Sequence, residues 1–238
     1  MKSQHIAFGF LLITFLLVLY VLLFPQNSPQ QEFKSYPNSR RIELPPPTYE
    51  GMTLEEALKQ RRSIRTFNNS NLTLQEISQL LFSAQGITDE TNLYRTAPSA
   101  GALYPIETYL IANRVDGLEK GIYHYNIGGH SLELLREGDF SEEILEACLN
   151  QQPTKEAAAL FVFTAVFERT RSKYGERGMR YIYIEAGHIS QNLLLEATSL
   201  NLAAVPIGGF SDEGVNSLIG VDGTSESAIY INAVGKKS

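Results

Sequence analysis

A cluster of three arginines and one serine within residues 61–65 carries the side chains best suited to binding an anion. These residues are Arg61, Arg62, Ser63 and Arg65. Guanidinium groups match phosphate oxygens two at a time, and a serine hydroxyl adds a short hydrogen bond. The cluster therefore predicts an anchor for a phosphorylated ligand. The alternative is a solvated basic end of a helix, since cations also complement the helix dipole there.

A lysine and a tyrosine, Lys173 and Tyr174, stand together inside the charged run 168–180. A lysine beside a tyrosine can exchange protons with a substrate when burial lowers the lysine pKa. The pair is therefore a candidate for acid–base chemistry. Composition alone favours the alternative, a solvated loop.

Two segments of small residues could bring backbone donors and acceptors close to a flat ligand. The first is the Pro98–Pro105 loop, whose residues Pro98, Ser99, Ala100, Gly101 and Leu103 are candidates for such contacts. The second is 205–210, where Ile207, Gly208 and Gly209 follow a strand-like stretch. The alternative for each segment is an ordinary tight turn.

Helices are predicted on either side of the arginine cluster by two Thr-x-x-Glu capping boxes. The first box, Thr53 with Glu56, opens a helix that ends at the cluster. Its apolar positions are Leu54, Ala57 and Leu58. The second box, Thr73 with Glu76, opens a helix that stops near Gly86.

The remaining elements mix helices and strands without a strict βαβ alternation, which predicts an α+β domain. Strands are predicted at 106–112, 122–126, 132–136, 160–167 and 228–234. Helices are predicted at 142–149 behind a Ser141 cap, at 179–200, and from Ser211 to Gly220. The long helix 179–200 is apolar on more than one side, which suits a core helix or a subunit interface.

Composition excludes several classes of protein. The formal charge of −6 and the lack of a basic stripe argue against nucleic-acid binding. One cysteine, Cys148, excludes an internal disulfide framework and a cysteine-rich metal site, and a small buried hydrophobe is its expected role. His124 and His188 lack partners at metal-ligand spacing, so both are interpreted as hydrogen-bonded structural residues and no metal site is predicted.

The amino-terminal part differs from the rest of the chain. Residues 6–24 are uncharged and long enough to cross a bilayer, so residues 1–24 are predicted to be a single-pass membrane anchor. The alternative is a cleaved signal peptide. Residues 25–50 hold six of the ten prolines, which predicts an extended stalk before a domain at 51–238. Lys2 lies nearest the hydrophobic stretch, which favours an extracytoplasmic domain.

Five segments together resemble the flavin-dependent nitroreductase superfamily, and most closely its azoline-oxidising dehydrogenases of the streptolysin-maturation type. They are 57–67, 98–105, 121–125, 185–192 and 206–209, and the matching stretch runs from about Gly51 to Gly235. Many nitroreductases carry an asparagine where this chain has Ala102 and an acid where it has Gly208. Both differences fit the azoline-oxidising branch.

The resemblance implies a central, mostly antiparallel sheet with flanking helices, a homodimer, and non-covalent FMN. The residues that it places at FMN are Arg61, Arg62, Ser63, Arg65, Pro98, Ser99, Ala100, Gly101, Leu103, Gln191, Ile207, Gly208, Gly209 and Lys236. The first of these hold the phosphate and ribityl chain, and the loops face the isoalloxazine. Lys173 and Tyr174 match the pair that transfers protons in the azoline-oxidising branch.

The expected activity is hydride exchange between a small organic substrate and the flavin N5, with a second, unidentified electron partner. Two alternatives stay open at this point. One is an NAD(P)H-dependent nitro or quinone reductase. The other is a membrane-tethered interaction module that kept the fold without catalysis.

Overall fold

A seven-stranded antiparallel sheet lies at the centre of residues 33–238, the part of the chain that the computed structural model describes. The strands are β1 (Arg40–Glu43), β2 (Ile87–Asp89), β3 (Tyr94–Arg95), β4 (Ile106–Ala112), β5 (Gly121–Asn126), β6 (Ser131–Glu137), β7 (Ala159–Val166), β8 (Leu202–Ile207) and β9 (Glu226–Lys236). The helices are α1 (Leu54–Gln60), α2 (Leu74–Gln85), α3 (Ser141–Ala147), α4 (Gln152–Glu156), α5 (Phe167–Tyr174), α6 (Arg177–Ser199) and α7 (Asp212–Ile219).

The order of strands in the sheet is β1-β6-β5-β4-β7-β9-β8, and every neighbouring pair is antiparallel. The short strands β2 and β3 form a separate ribbon. An α+β fold built on an antiparallel sheet is thus confirmed.

The sheet is covered by helices on both faces, and the central strand β7 shows why. Phe161 and Phe163 point into one apolar cluster with α2 and α6, whereas Leu160 and Val162 point into a second cluster with α3 and α7. Side chains alternate between the two faces of a strand, so a strand buried on both sides reads as a continuous apolar run.

Local signals marked three helix starts correctly, at Thr53, Thr73 and Ser211. The predicted Ser141 cap is wrong, because Ser141 is the first residue of α3 and Phe140 precedes it without a side-chain cap. Thr53 and Thr73 both accept a hydrogen bond from the backbone of the glutamate three residues on, and each glutamate reaches back to its threonine. Both predicted capping boxes are therefore confirmed. Gly220 ends α7 with a left-handed φ of 83°, which glycine adopts without strain.

The predicted stalk at 25–50 is wrong from residue 33 onward. The folded unit begins at Phe33, and β1 pairs with β6 as an edge strand of the sheet. Lys34 forms an ion pair with Glu226, and Leu44 is buried. Residues 33–50 are thus part of the domain, because residues 40–43 contain no proline and can pair their backbone with β6 as an edge strand.

The predicted membrane anchor and residues 25–32 lie outside the described residues. Between residues 33 and 238, no helix combines the length and the apolar character that a bilayer span requires.

Two expectations about helix surfaces are corrected. The leucines of α1 do not face the core, since Leu54 is 60% and Leu58 55% exposed. The charged run 168–180 is not a loop: α5 covers its first half and α6 its second. Helix α5 lacks a wide apolar stripe. It is stabilised instead by an ion pair between Glu168 and Arg171, which lie one turn apart.

Candidate functional site

Several predicted site segments that are distant in sequence lie toward one end of the central strands. β4 starts there and β7 ends there, since Ile106 pairs with Ala165, and Val166 pairs with Glu226 at the start of β9. The Pro98–Pro105 loop leads into β4, and α5 follows β7 directly. β8 runs toward the same end of the strands, with its last residue, Ile207, paired to Ile231 of β9.

The lysine–tyrosine pair lies against the Pro98–Pro105 loop. A Cβ atom built on Gly101 would stand 2.8 Å from the Tyr174 hydroxyl and 3.0 Å from Lys173 Nζ. The same Nζ lies 5.5 Å from the centre of the Tyr174 ring. Two motifs about seventy residues apart in sequence thus form one surface, and both Gly101 and Lys173 are exposed on it.

The arginine cluster is held beside β8. The Ile64 amide donates to the Ala204 carbonyl at 3.0 Å, which places residues 61–65 along the first half of that strand. Ala204 is level with Val234 and Ala159, so the cluster lies toward the opposite end of the strands from the lysine–tyrosine pair of the same chain. Within residues 33–238, no carboxylate pairs with Arg61 or Arg65. An unneutralised pair of guanidinium groups is what a phosphate site requires, so these residues fit the phosphate of FMN.

Two other predicted phosphate ligands are turned toward the protein. The Arg62 guanidinium donates to the carbonyl oxygens of Lys59 and Arg61 at 3.1 and 2.7 Å. The Lys236 ammonium forms an ion pair with Glu76. Arg62 and Lys236 thus already have protein acceptors, whereas the resemblance lists both among the cations at the phosphate.

The glycines that follow β8 leave their backbone little covered by side chains, although the Gln151 side-chain amide donates to the Gly209 carbonyl. A Cβ atom on Gly209 would meet only Gln151 Nε2, at 3.8 Å, and one on Gly208 would touch the Tyr230 ring at 3.4 Å. Both glycines are exposed, whereas the Ile207 side chain is buried in the second apolar cluster. Backbone groups rather than side chains are therefore available here to a flat ring.

Helix α6 presents an exposed strip that includes Gln191 and His188. His188, interpreted from sequence as a hydrogen-bonded structural residue, is exposed on α6. His124, in contrast, is fully buried between two glutamates.

The Pro98–Pro105 loop adopts an uncommon backbone. Gly101, Ala102 and Tyr104 all have left-handed φ values, of 67°, 53° and 46°. The Tyr104 amide donates to Ser99 Oγ at 2.9 Å, and the Ala102 amide donates to the Ser99 carbonyl at 3.1 Å. Ser99 thus stabilises the turn through its hydroxyl and its carbonyl, in addition to any contact with a ligand.

A buried carboxyl group stands behind this loop. Glu185 of α6 is 3% exposed, and its Oε1 atom has no hydrogen-bond partner among residues 33–238. Burial raises the pKa of Glu185 to about 7. A hydrogen bond from Ser99 and the charges of Arg95 and Arg169 lower the pKa, but burial is the larger effect. An acid that titrates near neutral pH next to a candidate site is a recognised mark of function.

A second buried group of charges lies under the loop. His124 Nε2 is 3.0 Å from Glu107 Oε2, and His124 Nδ1 is 2.9 Å from Glu133 Oε2. The other oxygen of Glu107 accepts from Arg169 of α5. Burial favours the neutral acid, but the hydrogen bond from His124 and the charge of Arg169 outweigh it and lower the pKa of Glu107.

Sequence reasoning missed Glu107, Glu185 and Arg169. A signal existed for the two acids: Glu107 stands in an otherwise apolar strand, and Glu185 stands between Ile182 and Ile189 on the buried stripe of α6. An acid in a buried stripe needs a partner. Arg169 gave no such signal inside its charged run.

The part of the chain that the structure describes contains no group of three or more histidine, cysteine, aspartate or glutamate side chains placed to hold a metal ion.

Comparison with known proteins places this chain in a family. Residues 58–236 match the family model described as the nitroreductase family. A protein of Methanocaldococcus jannaschii, named only provisionally as a nitroreductase, is 38% identical over 196 residues, which are 82% of this chain and 97% of that one. A crystal structure of a provisionally named nitroreductase from Anabaena variabilis superposes with a TM-score of 0.75 at 34% identity. That match covers 85% of this chain and 42% of the Anabaena chain.

Two further relatives process peptide toxins. The trifolitoxin-processing protein TfxB of Rhizobium leguminosarum is 32% identical over 67% of this chain and 46% of its own length. The microcin B17-processing protein McbC of Escherichia coli is 27% identical over 71% of this chain and 64% of its own length. These relatives confirm the resemblance to the azoline-oxidising branch that the motifs indicated. The chain belongs to the nitroreductase family.

Proposed function

We propose that this protein is an FMN-dependent dehydrogenase that moves a hydride between a small organic ring and the flavin N5, with an azoline ring in a peptide as the substrate class. Family membership supports an oxidoreductase, and the relatives TfxB and McbC support a peptide substrate. The observation that carries the proposal is the close approach of Lys173 and Tyr174 to Gly101, which brings a candidate base next to the loop expected at the flavin.

Arg61, Ser63 and Arg65 would hold the FMN phosphate. The two guanidinium groups have no acidic partner among the described residues, and Ser63 is half-buried beside them. The exposed backbone at Gly208 and Gly209 would receive the edge of the ring system. Bound FMN would supply the hydride acceptor at N5.

Lys173 and Tyr174 would act on the substrate proton. Oxidation of an azoline to an azole removes two hydrogens, one as a hydride and one as a proton. The proton needs a base near the ring carbon, and Lys173 Nζ lies on the surface beside the Pro98–Pro105 loop. The Tyr174 hydroxyl stands next to the same glycine and would pass the proton on or orient the ring.

A homodimer would complete the site. The expected FMN residues Arg65, Gly101 and Gly208 lie on exposed surface rather than inside a cavity. The nearby cavity of about 470 Å³ is lined instead by α1, α2, α6 and residues 48–52. A second copy laid over exposed apolar residues of α1 and α6 would enclose the flavin. We also propose that residues 6–24 anchor the protein in a membrane.

FMN uptake tests the proposal directly. The full chain is purified, its visible flavin absorbance is recorded, and FMN is titrated into the unloaded protein. Arg61→Ala and Arg65→Ala each remove a charge-assisted contact worth about 1.5–3 kcal/mol, so FMN affinity should fall on the order of ten- to a hundredfold for each. Arg40→Ala, an exposed arginine at the opposite edge of the sheet, is the matched control. A native chain that takes up no FMN would leave only the non-catalytic module.

A further inference from the structure

Arg169, a residue that neither motif contains, links the helix of Lys173 to the Pro98–Pro105 loop. Arg169 lies one helical turn before Lys173 on α5, so the two side chains leave the same face of that helix. Arg169 Nη1 donates to the Tyr104 carbonyl at 3.2 Å. The helix that carries the candidate base is thus tied to the loop that carries Gly101.

The loop needs such a restraint. Ala102 and Tyr104 have left-handed φ values that side chains other than glycine rarely adopt. The Tyr104 hydroxyl accepts from the Arg95 amide at 3.2 Å, and the Tyr104 amide donates to Ser99. Arg169 of α5 supplies a third hydrogen bond to Tyr104, at its carbonyl. The loop is also bonded to the end of β7, where the Val166 amide donates to the Pro105 carbonyl at 2.8 Å.

Arg169 is itself held from the interior of the sheet. Its guanidinium forms an ion pair with Glu107, and Glu107 is bonded to His124, which is bonded to Glu133. The Glu107 and Glu133 side chains are 4% and 5% exposed and His124 is fully buried, so water competes little with these bonds. Glu107, His124 and Glu133 come from the adjacent strands β4, β5 and β6, which gives the guanidinium a rigid support.

We infer that Arg169 is a positioning residue that sets the distance from Lys173 and Tyr174 to the loop at Gly101, with the Glu107–His124–Glu133 chain as its support. The guanidinium suits this task because its Nη1 nitrogen carries two hydrogens and donates to both the Glu107 carboxylate and the Tyr104 carbonyl. A lysine ammonium at this position is not planar and ends elsewhere in space, so we expect it to restore these two contacts only in part. The part of the inference that concerns turnover rests on the proposed function.

Hydrogen exchange of the unloaded full chain tests the positioning without FMN. In Arg169→Met, the amides of Ala102 and Tyr104 should exchange at least about tenfold faster than in the native chain. Arg171→Met is the matched control, since Arg171 lies two residues later on α5 and pairs with Glu168 and Glu176 at the surface. Equal protection of the loop amides in the two variants would overturn the inference. If Arg169→Met does not fold, Arg169→Lys takes its place, and we expect it to show a smaller loss of protection at the same amides.

Turnover of the FMN-loaded chain distinguishes positioning from a general structural role. With a short peptide that carries one thiazoline ring as the probe, Arg169→Met should lower kcat at least about tenfold and change KM less than threefold. The double variant with Lys173→Ala should be no slower than Lys173→Ala alone, and Arg169→Lys should recover part of the rate. Multiplicative losses in the double variant would refute action through Lys173. A chain that binds no FMN counts against the proposed function alone, and the exchange experiment still decides the inference.

Discussion

Lys173 Nζ lies 3.0 Å from the point at which a side chain would begin on Gly101, and this glycine has a left-handed φ of 67°. The space that the missing side chain leaves is therefore used by the candidate base. Glycine is required here twice over, by the backbone conformation and by the approach of the lysine.

Gly101→Ala should uncouple the lysine–tyrosine pair from the loop. The added methyl would stand 2.8 Å from the Tyr174 hydroxyl, so both flexible side chains must move away, and the left-handed backbone adds a strain of about 1–2 kcal/mol. We expect turnover to fall more than FMN affinity. Gly117→Ala is the control, because Gly117 has a φ of 80° and no heavy atom within 4 Å of the added carbon. Equal loss of turnover in both variants would show that strain alone matters.

Lys173→Ala should retain FMN and lose chemistry. Loss of a positioned acid or base lowers rates by about 10²–10⁴, while the phosphate contacts at Arg61 and Arg65 are untouched. Single-turnover reduction of the flavin by a thiazoline peptide measures the change. Unchanged reduction kinetics would remove Lys173 from the mechanism and leave Tyr174 as the candidate.

Glu185→Gln should stabilise the fold at alkaline pH. Burial raises the folded-state pKa of Glu185 from 4.5 to about 7, so the folded chain holds this proton more tightly than the unfolded chain does. The contribution of Glu185 to stability is therefore greatest below the unfolded pKa and is lost as pH rises through the folded pKa. At pH 8 the amide variant should be more stable by up to about 3 kcal/mol, and the difference should vanish toward pH 4.

Urea unfolding of both proteins across this pH range measures the difference. Glu90→Gln, an exposed acid in the turn between β2 and β3, should show no such trend. If the stability of Glu185→Gln parallels that of the native chain at every pH, the pKa of Glu185 is not raised in the folded chain.

Leu58→Glu should separate the proposed homodimer. Leu54 and Leu58 of α1 are exposed, α1 packs on α6, and Tyr183 and Ile184 of α6 are exposed as well. A charge placed in such a patch opposes its burial against a second copy. Light scattering should give twice the 26.5 kDa chain mass for the native protein and the single mass for the variant. Leu149→Glu, at a leucine that is 63% exposed and outside this patch, should leave the dimer intact.

Removal of residues 1–50 should damage the domain, whereas removal of residues 1–32 should not. The longer deletion takes β1 from the edge of the sheet and removes Lys34, whose ammonium donates to Tyr109 and pairs with Glu226. It exposes β6 as an edge and leaves Glu226 without its lysine, and a partly buried charge that loses its partner is costly. Thermal unfolding and light scattering compare the two deletions. Equal stability would show that β1 contributes little.

The parts of the fold that sequence predicted depend on short-range patterns. The capping boxes, the strand Ile106–Ala112 and the hairpin around residues 128–129 each follow from neighbours within a few residues. The helical state of 168–174 could not be found this way, because α5 has little apolar periodicity and is stabilised by ion pairs and by its place after β7.

The parts of the site that escaped prediction depend on contacts between distant segments. Arg169 meets Tyr104 across sixty-five residues, and Lys236 meets Glu76 across one hundred and sixty. A motif shows which residue types are present, yet it cannot show which acid neutralises which base. The family resemblance implied Lys236 as a phosphate ligand, and the structure shows its ammonium paired with Glu76, so the phosphate role stays a prediction.

Cys148, the sole cysteine of the sequence, is completely enclosed, and burial raises the pKa of its thiol to about 12. Thiol reagents act on the thiolate, so the native chain should be inert to maleimides and free of oxidative cross-links. Any cysteine engineered onto the surface then becomes the single attachment point for a spin label or a fluorophore. Distances between labelled copies can be measured without first stripping background thiols from the protein.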